Sequence, residues 1–431
     1  MKSWREYSFK EITTKIGSGS TPTGGKEAYY DSGTTLVRSL NIYDFEFEYK
    51  DLAFINEQQA KKLNNVTIEK DDILLNITGA SVGRCTIIPE KLLPARVNQH
   101  VSIIRTKKEI ADSRFLLYSI NSSFYKEALM MIADSGSTRE ALTKDDIEKF
   151  KIKLPPIPTQ HRIASILSAY DDLIEVNNQR INLLEQTARE LYKEWFVRMR
   201  FPEYENVKFK KGIPSDWRIE PIGKVIDYHI GGGWGNDNKD KQFSVSGYVI
   251  RGTDIPKVRA GQANQDVYRF HKESNMKSRE LFEGDIVFET AGGSEGQPLG
   301  RTCYITQEIL DAYGDKVMAA SFCKQIRTNN IPSLYLYYFL NYLYDTGMIE
   351  TYQTQSTGIS NYQFEPFLKF QQIILPTDHL MKSFQEKVFP IQKQIAILGN
   401  QNTQLRQIRD RLLPRLISGK LQVKMDTFKN E

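Results

Sequence analysis

The feature that most constrains this chain is a heptad pattern that occurs twice. The first copy lies between Pro155 and Val197, where residues recur at alternating steps of four and three: Ile163, Leu167, Tyr170, Ile174, Asn177, Ile181, Leu184, Ala188, Leu191 and Trp195. The second copy follows Leu375-Pro376, at an offset of 221 residues: Phe384, Val388, Ile391, Ile395, Leu398, Asn402, Leu405, Arg409, Leu412 and Leu416. This spacing keeps one helix face apolar over many turns, which is typical of a coiled coil. The sequence therefore predicts two long helices that need apolar partners.

The two patterns supply partners for each other. In an antiparallel pair with full overlap, facing residues have numbers that sum to 579, which puts Ile181 opposite Leu398 and Asn177 opposite Asn402. Two facing amides satisfy each other's hydrogen bonds and fix the register of a coiled coil. Each helix is on the order of 50 Å long at about 1.5 Å per residue. Pro390 lies inside the second pattern and is expected to kink that helix.

The segments before the two helices also repeat. Trp217-Arg218 matches Trp4-Arg5, Arg251 matches Arg38, and Asp285 matches Asp72, all at one offset of 213 residues. Short runs rich in Val, Ile, Leu and Thr in both copies predict strands, and residues 113–133 have helical spacing. The predicted fold is α+β, a tandem duplication of an α/β module followed by a long helix, with an antiparallel pair of helices. The predicted boundaries are 1–154 (first module), 155–199 (first helix), 200–374 (second module), 375–419 (second helix) and 420–431 (tail).

Composition and missing motifs narrow the function. The 431 residues carry a net charge of +5, which is compatible with nucleic acid but does not require it. Three cysteines without a CxxC pair and five histidines without ligand spacing give no support for a metal site or a disulfide framework. The sequence lacks a phosphate-binding loop and an 18-residue apolar run. We therefore expect a cytoplasmic, non-catalytic protein.

Two similar modules joined by helices suit a ligand with two separated sites, and duplex DNA is the obvious candidate. If the modules lie near opposite ends of the helix pair, these sites are at least one helical turn apart, about 34 Å or 10 base pairs. Short polar side chains and guanidinium groups in loops are used for phosphates and base edges. In the first module the candidates are Ser18, Ser20, Thr21, Arg38, Thr78, Ser81, Arg84, Ser137 and Arg139. In the second module they are Asn236, Asn238, Lys239, Arg251, Thr290, Ser294, Gln297, Arg301, Ser356 and Asn361.

The order of motifs resembles a known family. The chain contains IGSGSTP, LVRSLNI, DDILLNITGASVGR, VNQHVSIIR and SGSTREALTKDDIEKFKIKLPPIPTQHRI before the first helix, and the same plan again in the second half. This order resembles the specificity subunit of bacterial type I restriction–modification systems over essentially the whole chain. The second copy departs from the pattern, because LPTDHLMKSF lacks the second proline and the Gln-His-Arg-Ile passage.

The resemblance implies a non-catalytic reader of double-stranded DNA with two target recognition domains. Each domain would read half of a bipartite sequence, and the helices would set the unread spacer. The implied partners are two methyltransferase subunits and two restriction/translocase subunits, with no membrane. The chain itself would bind no cofactor or metal, whereas S-adenosylmethionine, ATP and Mg would be held by the partner subunits.

Two other classes compete with this interpretation. A non-catalytic scaffold with two protein-binding modules on a coiled-coil rod would show no salt-sensitive DNA affinity. A nuclease or methyltransferase acting alone is disfavoured by the missing motifs.

Overall fold

The computed structural model describes residues 4–22, 25–134, 140–292, 297–328, 330–356 and 359–423. In the first module the strands are β1 (Arg5–Ser8), β2 (Thr13–Ser18), β3 (Thr34–Val37), β4 (Ile42–Tyr43), β5 (Glu46–Phe47), β6 (Ala53–Ile55), β7 (Thr67–Ile68), β8 (Ile73–Asn76), β9 (Cys85–Ile87), β10 (Ala95–Val97), β11 (Val101–Thr106) and β12 (Lys151–Leu154). The helices are α1 (Phe9–Ile12), α2 (Glu57–Lys62), α3 (Ser113–Asn121), α4 (Ser123–Asp134), α5 (Lys144–Lys149) and the long α6 (Ile157–Tyr192). A π-helical turn over Lys193–Val197 follows α6.

The second module continues the chain with more elaborate loops. Its strands are β13 (Phe209–Lys210), β14 (Ile213–Pro214), β15 (Arg218–Pro221), β16 (Tyr228–Gly231), β17 (Val245–Ile250), β18 (Tyr268–His271), β19 (Ile286–Glu289), β20 (Ala291–Gly292), β21 (Thr302–Tyr304), β22 (Val317–Ala319), β23 (Cys323–Arg327), β24 (Gln353–Ser356), β25 (Ile359–Tyr362) and β26 (Gln372–Leu375). Its helices are α7 (Ile255–Arg259), α8 (Glu273–Arg279), α9 (Gln307–Tyr313), α10 (Ser333–Asp345), α11 (Phe364–Phe370) and the long α12 (Asp378–Ile417).

The strand order confirms the predicted duplication. The first module has a sheet of order β2-β11-β8-β9, and the second has β16-β23-β19-β21. A parallel pair, β3 with β10, recurs as β17 with β22. In each module the strand that begins in the Trp-Arg pair also pairs antiparallel with the strand that leads into the long helix, β1 with β12 and β15 with β26. Both copies therefore join an early strand to their last strand.

One ion pair recurs at the same place in both modules. Arg105 donates to the two carboxylate oxygens of the buried Asp72 at 2.8 and 2.7 Å. Arg327 donates to those of the buried Asp285 at 2.6 and 2.9 Å. A buried carboxylate is tolerated when a bidentate guanidinium satisfies it. The Asp72–Asp285 match seen in the sequence thus reflects a structural ion pair.

Contacts group the chain into two compact units. One unit comprises Met1–Leu173 with Leu405–Glu431, and the other comprises Ile174–Gln404. Each unit contains one module together with a part of α6 and a part of α12. Both long helices therefore pass from one unit into the other.

In the first unit, both helix parts share the core of the first module. Leu167 of α6 and Leu413 and Leu416 of α12 are buried in one apolar cluster with Phe115 and Ile152. Arg409 adds a polar contact, because it bonds to Asp171, and its guanidinium lies 4.2 Å from the centre of the Phe45 ring. These contacts attach the first module to both helices.

In the second unit, the two helix parts run antiparallel. Ile181 packs with Leu398 and Ile395 in one small cluster, and Trp195 contacts Phe384 with ring centres 6.1 Å apart. The pairs Ile181–Leu398 and Trp195–Phe384 have numbers that sum to 579, the value expected for full overlap. The predicted antiparallel coiled coil is confirmed in this unit.

The two asparagines meet inside this helix pair. Asn177 Nδ2 donates to Asn402 Oδ1 at 2.9 Å, and Asn402 Nδ2 donates to Asn178 Oδ1 at 2.8 Å. Asn177 and Asn402 are both buried. The amide pair accordingly lies at the facing positions that the heptad pattern assigns to it.

A pair of glycines brings the second module against α12. A Cβ built on Gly399 would lie 2.2 Å from the carbonyl oxygen of Ala260, and one on Gly261 would lie 2.3 Å from that of Ile395. Gly261 also has a φ of +75°, a backbone conformation that residues other than glycine rarely adopt. The backbones of the helix and the loop after α7 therefore touch directly. Arg259 strengthens the contact through an ion pair with Glu185 at 2.6 Å.

Two local points refine the expectations. The helix α12 is continuous from Asp378 to Ile417, so Pro390 does not interrupt it. The region 113–133 forms two helices separated at Ser122, whose N–H bonds to the carbonyl of Ser119. Among the described residues, no helix is both long and apolar enough to cross a membrane.

Candidate nucleic-acid interface

Four separate segments of the first module meet at one end of its sheets. Gly19 N–H donates to the carbonyl of Asn98 at 3.1 Å, and Ile77 N–H donates to that of His100 at 2.9 Å. Leu142 N–H in turn donates to the carbonyl of Ile77 at 2.8 Å. We call the surface made by residues 18–22, 77–81, 97–100 and 140–142 the first loop face. Most of the first module's short polar candidates lie on it.

The second module has the same arrangement. Thr290 N–H donates to the carbonyl of Phe322 at 2.8 Å, and Tyr362 N–H donates to that of Thr290 at 2.8 Å. Gly232 N–H donates to the carbonyl of Cys323 at 2.9 Å. The second loop face comprises residues 231–236, 290–292, 319–323 and 360–362. Position 322 therefore corresponds to position 100, and position 290 to position 77.

Each loop face depends on a glycine at the same position. A Cβ on Gly19 would lie 1.8 Å from the carbonyl oxygen of Val97, and one on Gly232 would lie 2.1 Å from that of Ala319. Any side chain would push the segment away from its neighbouring strand, β10 or β22. The Gly-Ser-Gly and Gly-Gly-Gly turns seen in the sequence thus allow two backbones to touch.

The first loop face presents small polar groups. Ser18 and Ser20 are exposed, and Thr21 N–H donates to Gln99 Oε1 at 2.8 Å. Thr78 Oγ1 lies 2.6 Å from His100 Nδ1, and Ser81 is half-buried in a short 3₁₀ turn. Gln99 and His100 were missed by the sequence analysis. Their position in the turn between two strands, VNQHVS, was the available signal.

The second loop face mixes polar groups with aromatic rings. Asn236 and Asn361 are exposed, and Thr290 Oγ1 donates to the carbonyl of Phe322 at 3.1 Å. The rings of Trp234 and Phe322 are 43% and 56% exposed, and neither residue was among the candidates. The candidates Asn238 and Lys239 are exposed just beyond this face.

Two candidate arginines border the loop faces, directly after β3 and β17. Arg38 lies with its guanidinium 5.2 Å from the centre of the Tyr29 ring and donates to the carbonyl of Asp51. Arg251 donates through Nε and Nη2 to Asp254 at 2.8 and 2.9 Å, and these bonds raise its pKa. Burial raises the pKa of Asp254, but the bonds from Arg251 outweigh it and lower the pKa overall. Arg251 thus already has a carboxylate partner in its module.

Two further candidate arginines, Arg84 and Arg301, also have partners within their modules. Arg84 lies 4.8 Å from the centre of the Tyr43 ring. Arg301 Nε donates to Glu289 at 2.8 Å, a bond that raises the pKa of Arg301, and Glu289 is almost completely buried. Gln297 lies beside the Arg301 guanidinium. These contacts give Arg301 a structural role that the sequence analysis did not anticipate.

Several candidates lie where the structure gives no side-chain position. Ser137, Arg139 and Ser294 fall outside the described residues. Ser356 belongs to β24, whose backbone pairs with β25, and its side chain is outside the description.

All three cysteines are buried. Burial raises the pKa of Cys85 and of Cys303 to about 12, so both thiols stay protonated. Within residues 4–22, 25–134, 140–292, 297–328, 330–356 and 359–423, no group of three or more His, Cys, Asp or Glu residues is arranged to hold a metal ion.

Comparisons with known proteins agree on one family. Residues 1–186 match the model of the type I restriction modification DNA specificity domain. The chain is 24% identical to the type I restriction enzyme MjaIX specificity subunit of Methanocaldococcus jannaschii, covering 98% of this chain and 94% of that one. It is 25% identical to the HindI specificity subunit of Haemophilus influenzae, covering 98% and 100%.

The fold has been seen before in a solved structure. The S subunit of a type I restriction-modification system from M. genitalium superimposes with a TM-score of 0.57, at 15% identity, and covers 98% of this chain and 97% of that one. Residues 1–186 thus match a type I DNA specificity domain, and over nearly its whole length the chain is similar to specificity subunits of type I restriction enzymes.

Proposed function

We propose that this chain recognises double-stranded DNA, and that each loop face reads one half of a bipartite target. The observation that carries this proposal is the pair of loop faces. They share two equivalent backbone hydrogen bonds, donated by Ile77 and Leu142 in the first face and by Thr290 and Tyr362 in the second, but they differ in side chains. A common platform with different side chains suits two readers of one kind of ligand that recognise different sequences. The match to a DNA specificity domain supports the same ligand.

The helices have the second role in this proposal. Because α6 and α12 each pass from one unit into the other, they are the elements that would set the length of the unread spacer. We further propose that they offer the docking surface for two methyltransferase subunits, which two restriction/translocase subunits then join. The catalytic chemistry, with S-adenosylmethionine, ATP and Mg, would belong to those partners, and this chain would bind no cofactor.

Methylome sequencing tests the proposal directly. The chain is expressed together with its methyltransferase subunit in a host without other adenine methylation. The expected result is one bipartite motif with methylated adenines in both halves. Exchanging residues 1–154 for the same region of another family member should change one half of the motif and leave the other unchanged.

The rival function, a scaffold with two protein-binding modules, predicts a different result. Such a scaffold would give no methylated motif, and its DNA affinity would neither depend on salt nor differ between duplex sequences. A binding titration at two salt concentrations with the motif and a scrambled duplex separates the two functions. Equal affinity for both duplexes would contradict the proposal.

A further inference from the structure

The most prominent apolar side chain on the second loop face is Phe322. It lies in a tight turn between β22 and β23, closed by the bond from Cys323 N–H to the carbonyl of Ala320 at 2.9 Å. The ring is 56% exposed, whereas the Phe322 carbonyl accepts from Thr290 N–H at 2.8 Å and from Ala291 N–H at 3.2 Å. The backbone under the ring is therefore fixed, and the ring itself faces solvent.

The equivalent position of the first module carries different chemistry. His100 occupies it, and its ring bonds to Thr78 Oγ1 at 2.6 Å and approaches Gln99 Nε2 at 3.3 Å. The carbonyls of His100 and Phe322 accept equivalent backbone bonds, from Ile77 and Thr290. One backbone position thus presents a hydrogen-bonding ring in one module and a purely apolar ring in the other.

Single exposed apolar side chains are common on protein surfaces, so exposure alone does not identify a contact. What distinguishes Phe322 is its position on the second loop face, which we propose to contact DNA, beside the exposed polar groups of Asn236 and Asn361 and the exposed ring of Trp234. On such a face, a phenyl ring suits a ligand that offers an apolar group within an otherwise polar surface.

Duplex DNA offers one such group in its major groove. The 5-methyl group of thymine is the largest apolar group that the base pairs present there, and phenylalanine is among the residues that contact it. We propose that Phe322 is a specificity-determining residue that contacts a thymine 5-methyl group in the half-site read by the second module. This inference rests on the proposed function and goes further, because it names the base and the atom recognised.

The test replaces thymine by deoxyuridine, which lacks only the methyl group and pairs in the same way. The full chain, assembled with its methyltransferase subunits, is titrated with target duplexes in which each thymine of the motif is replaced in turn. We expect one position in the second module's half to bind about three- to tenfold more weakly, the effect of losing a buried methyl group. The effect on affinity of deoxyuridine replacements in the half-site read by the first module should be the same whichever residue occupies position 322.

Variants at position 322 test whether the Phe322 side chain causes the weaker binding of the deoxyuridine duplex. Phe322→Ala should weaken binding to the thymine duplex by a similar factor and bind the thymine and deoxyuridine duplexes equally well. Phe322→Leu, which keeps an apolar side chain, should retain part of the preference. The matched control is Phe370→Ala, since Phe370 is 60% exposed and lies at the end of α11, next to β26 and apart from the four segments of the second loop face.

The possible outcomes separate this inference from the proposed function. If the wild-type complex binds its motif tightly and no deoxyuridine replacement in the second half matters, or that half contains no thymine, the inference is overturned while the proposed function stands. A thymine preference that survives Phe322→Ala also overturns it. If the wild-type complex does not distinguish the motif from a scrambled duplex, the proposed function itself has failed.

Discussion

Asn177 and Asn402 join their side-chain amides at 2.9 Å inside the pair of long helices, where both residues are buried. An amide in such a position costs stability unless its partner is present, because an unpaired buried donor or acceptor loses its bonds to water. The pair therefore favours the register in which positions 177 and 402 face each other.

Removing one of these amides should destabilise the chain. We expect Asn177→Leu to lower the free energy of unfolding by about 1–3 kcal/mol, because it leaves the buried Oδ1 of Asn402 without its donor. Replacing both asparagines by leucine should recover part of the loss. Urea denaturation of the wild type, of the single variants Asn177→Leu and Asn402→Leu, and of the double variant gives the coupling energy between the two amides. Gln179→Ala, at an exposed position of α6, serves as the control. Losses that simply add up would show that the amides do not act as a pair.

Gly399 provides a test in which the sign of the effect is informative. Glycine to alanine inside a helix normally raises stability by about 1 kcal/mol. At position 399 the new methyl group would overlap the carbonyl oxygen of Ala260, so we expect a loss of about 1–3 kcal/mol instead. Thermal unfolding measures the change, and Gln401→Ala on an exposed position of α12 serves as the control. A more stable Gly399→Ala chain would contradict the close contact.

The ion pair of Arg301 with Glu289 predicts a folding defect rather than a local loss of DNA affinity. Arg301→Met leaves the buried carboxylate of Glu289 without its guanidinium, and we expect a loss of about 3–5 kcal/mol. The double variant Arg301→Met/Glu289→Met should regain most of that stability. Circular dichroism during denaturation measures both effects. Wild-type stability with weakened DNA binding would instead support the original DNA-contact hypothesis for Arg301.

Gln99 should contribute to reading the first half of the target. It is exposed on the first loop face, and its Oε1 accepts from Thr21 N–H. We expect Gln99→Ala to weaken binding to the methylated motif's sequence by about five- to a hundredfold, the range for one lost base contact. The control Gln58→Ala alters an exposed glutamine of α2 that is not on this face. Equal losses in both variants would remove Gln99 from the interface.

The spacer hypothesis can be tested by lengthening both helices together. One heptad inserted after Ile174 and one before Leu405 preserves the facing pairs, leaves the contacts of Ile395 and Gly399 with the loop after α7 in place, and adds about 10 Å of helix. We expect the unread spacer to grow by about three base pairs at about 3.4 Å per step, while both half-sites stay the same. Methylome sequencing gives the new motif directly. An unchanged spacer would contradict the role assigned to the helices.

The features that depend on spacing could be predicted from the sequence. The heptad steps gave the facing positions of Ile181 and Leu398, and the offset of 213 residues gave the matching aspartates Asp72 and Asp285. Both are periodic properties that a single chain displays without any knowledge of its contacts. Whether Pro390 would interrupt α12 could not be predicted, because proline preference is local, whereas Val388 and Ile395 on either side of it are buried in the fold.

The side-chain chemistry of the loop faces could not be predicted in the same way. Arg251 and Arg301 have the same side chain as many DNA-binding residues, and only the folded chain puts Asp254 and Glu289 beside them. Gln99 and Phe322 lie in turns whose exposure is set by segments far away in sequence. The contact of Gly261 with Gly399 likewise joins positions that no local pattern connects.

The glycines at positions 19 and 232 have one more consequence. Because each lets a backbone segment rest on the carbonyl of Val97 or Ala319, the framework of a loop face is held by main-chain atoms that are the same whatever side chains it carries. Substitutions at His100 or Phe322, whose side chains bond to no backbone group in the hydrogen bonds described above, can then alter the chemistry displayed without disturbing the frame. A family built on this frame can acquire new targets by point mutation as well as by exchange of whole modules.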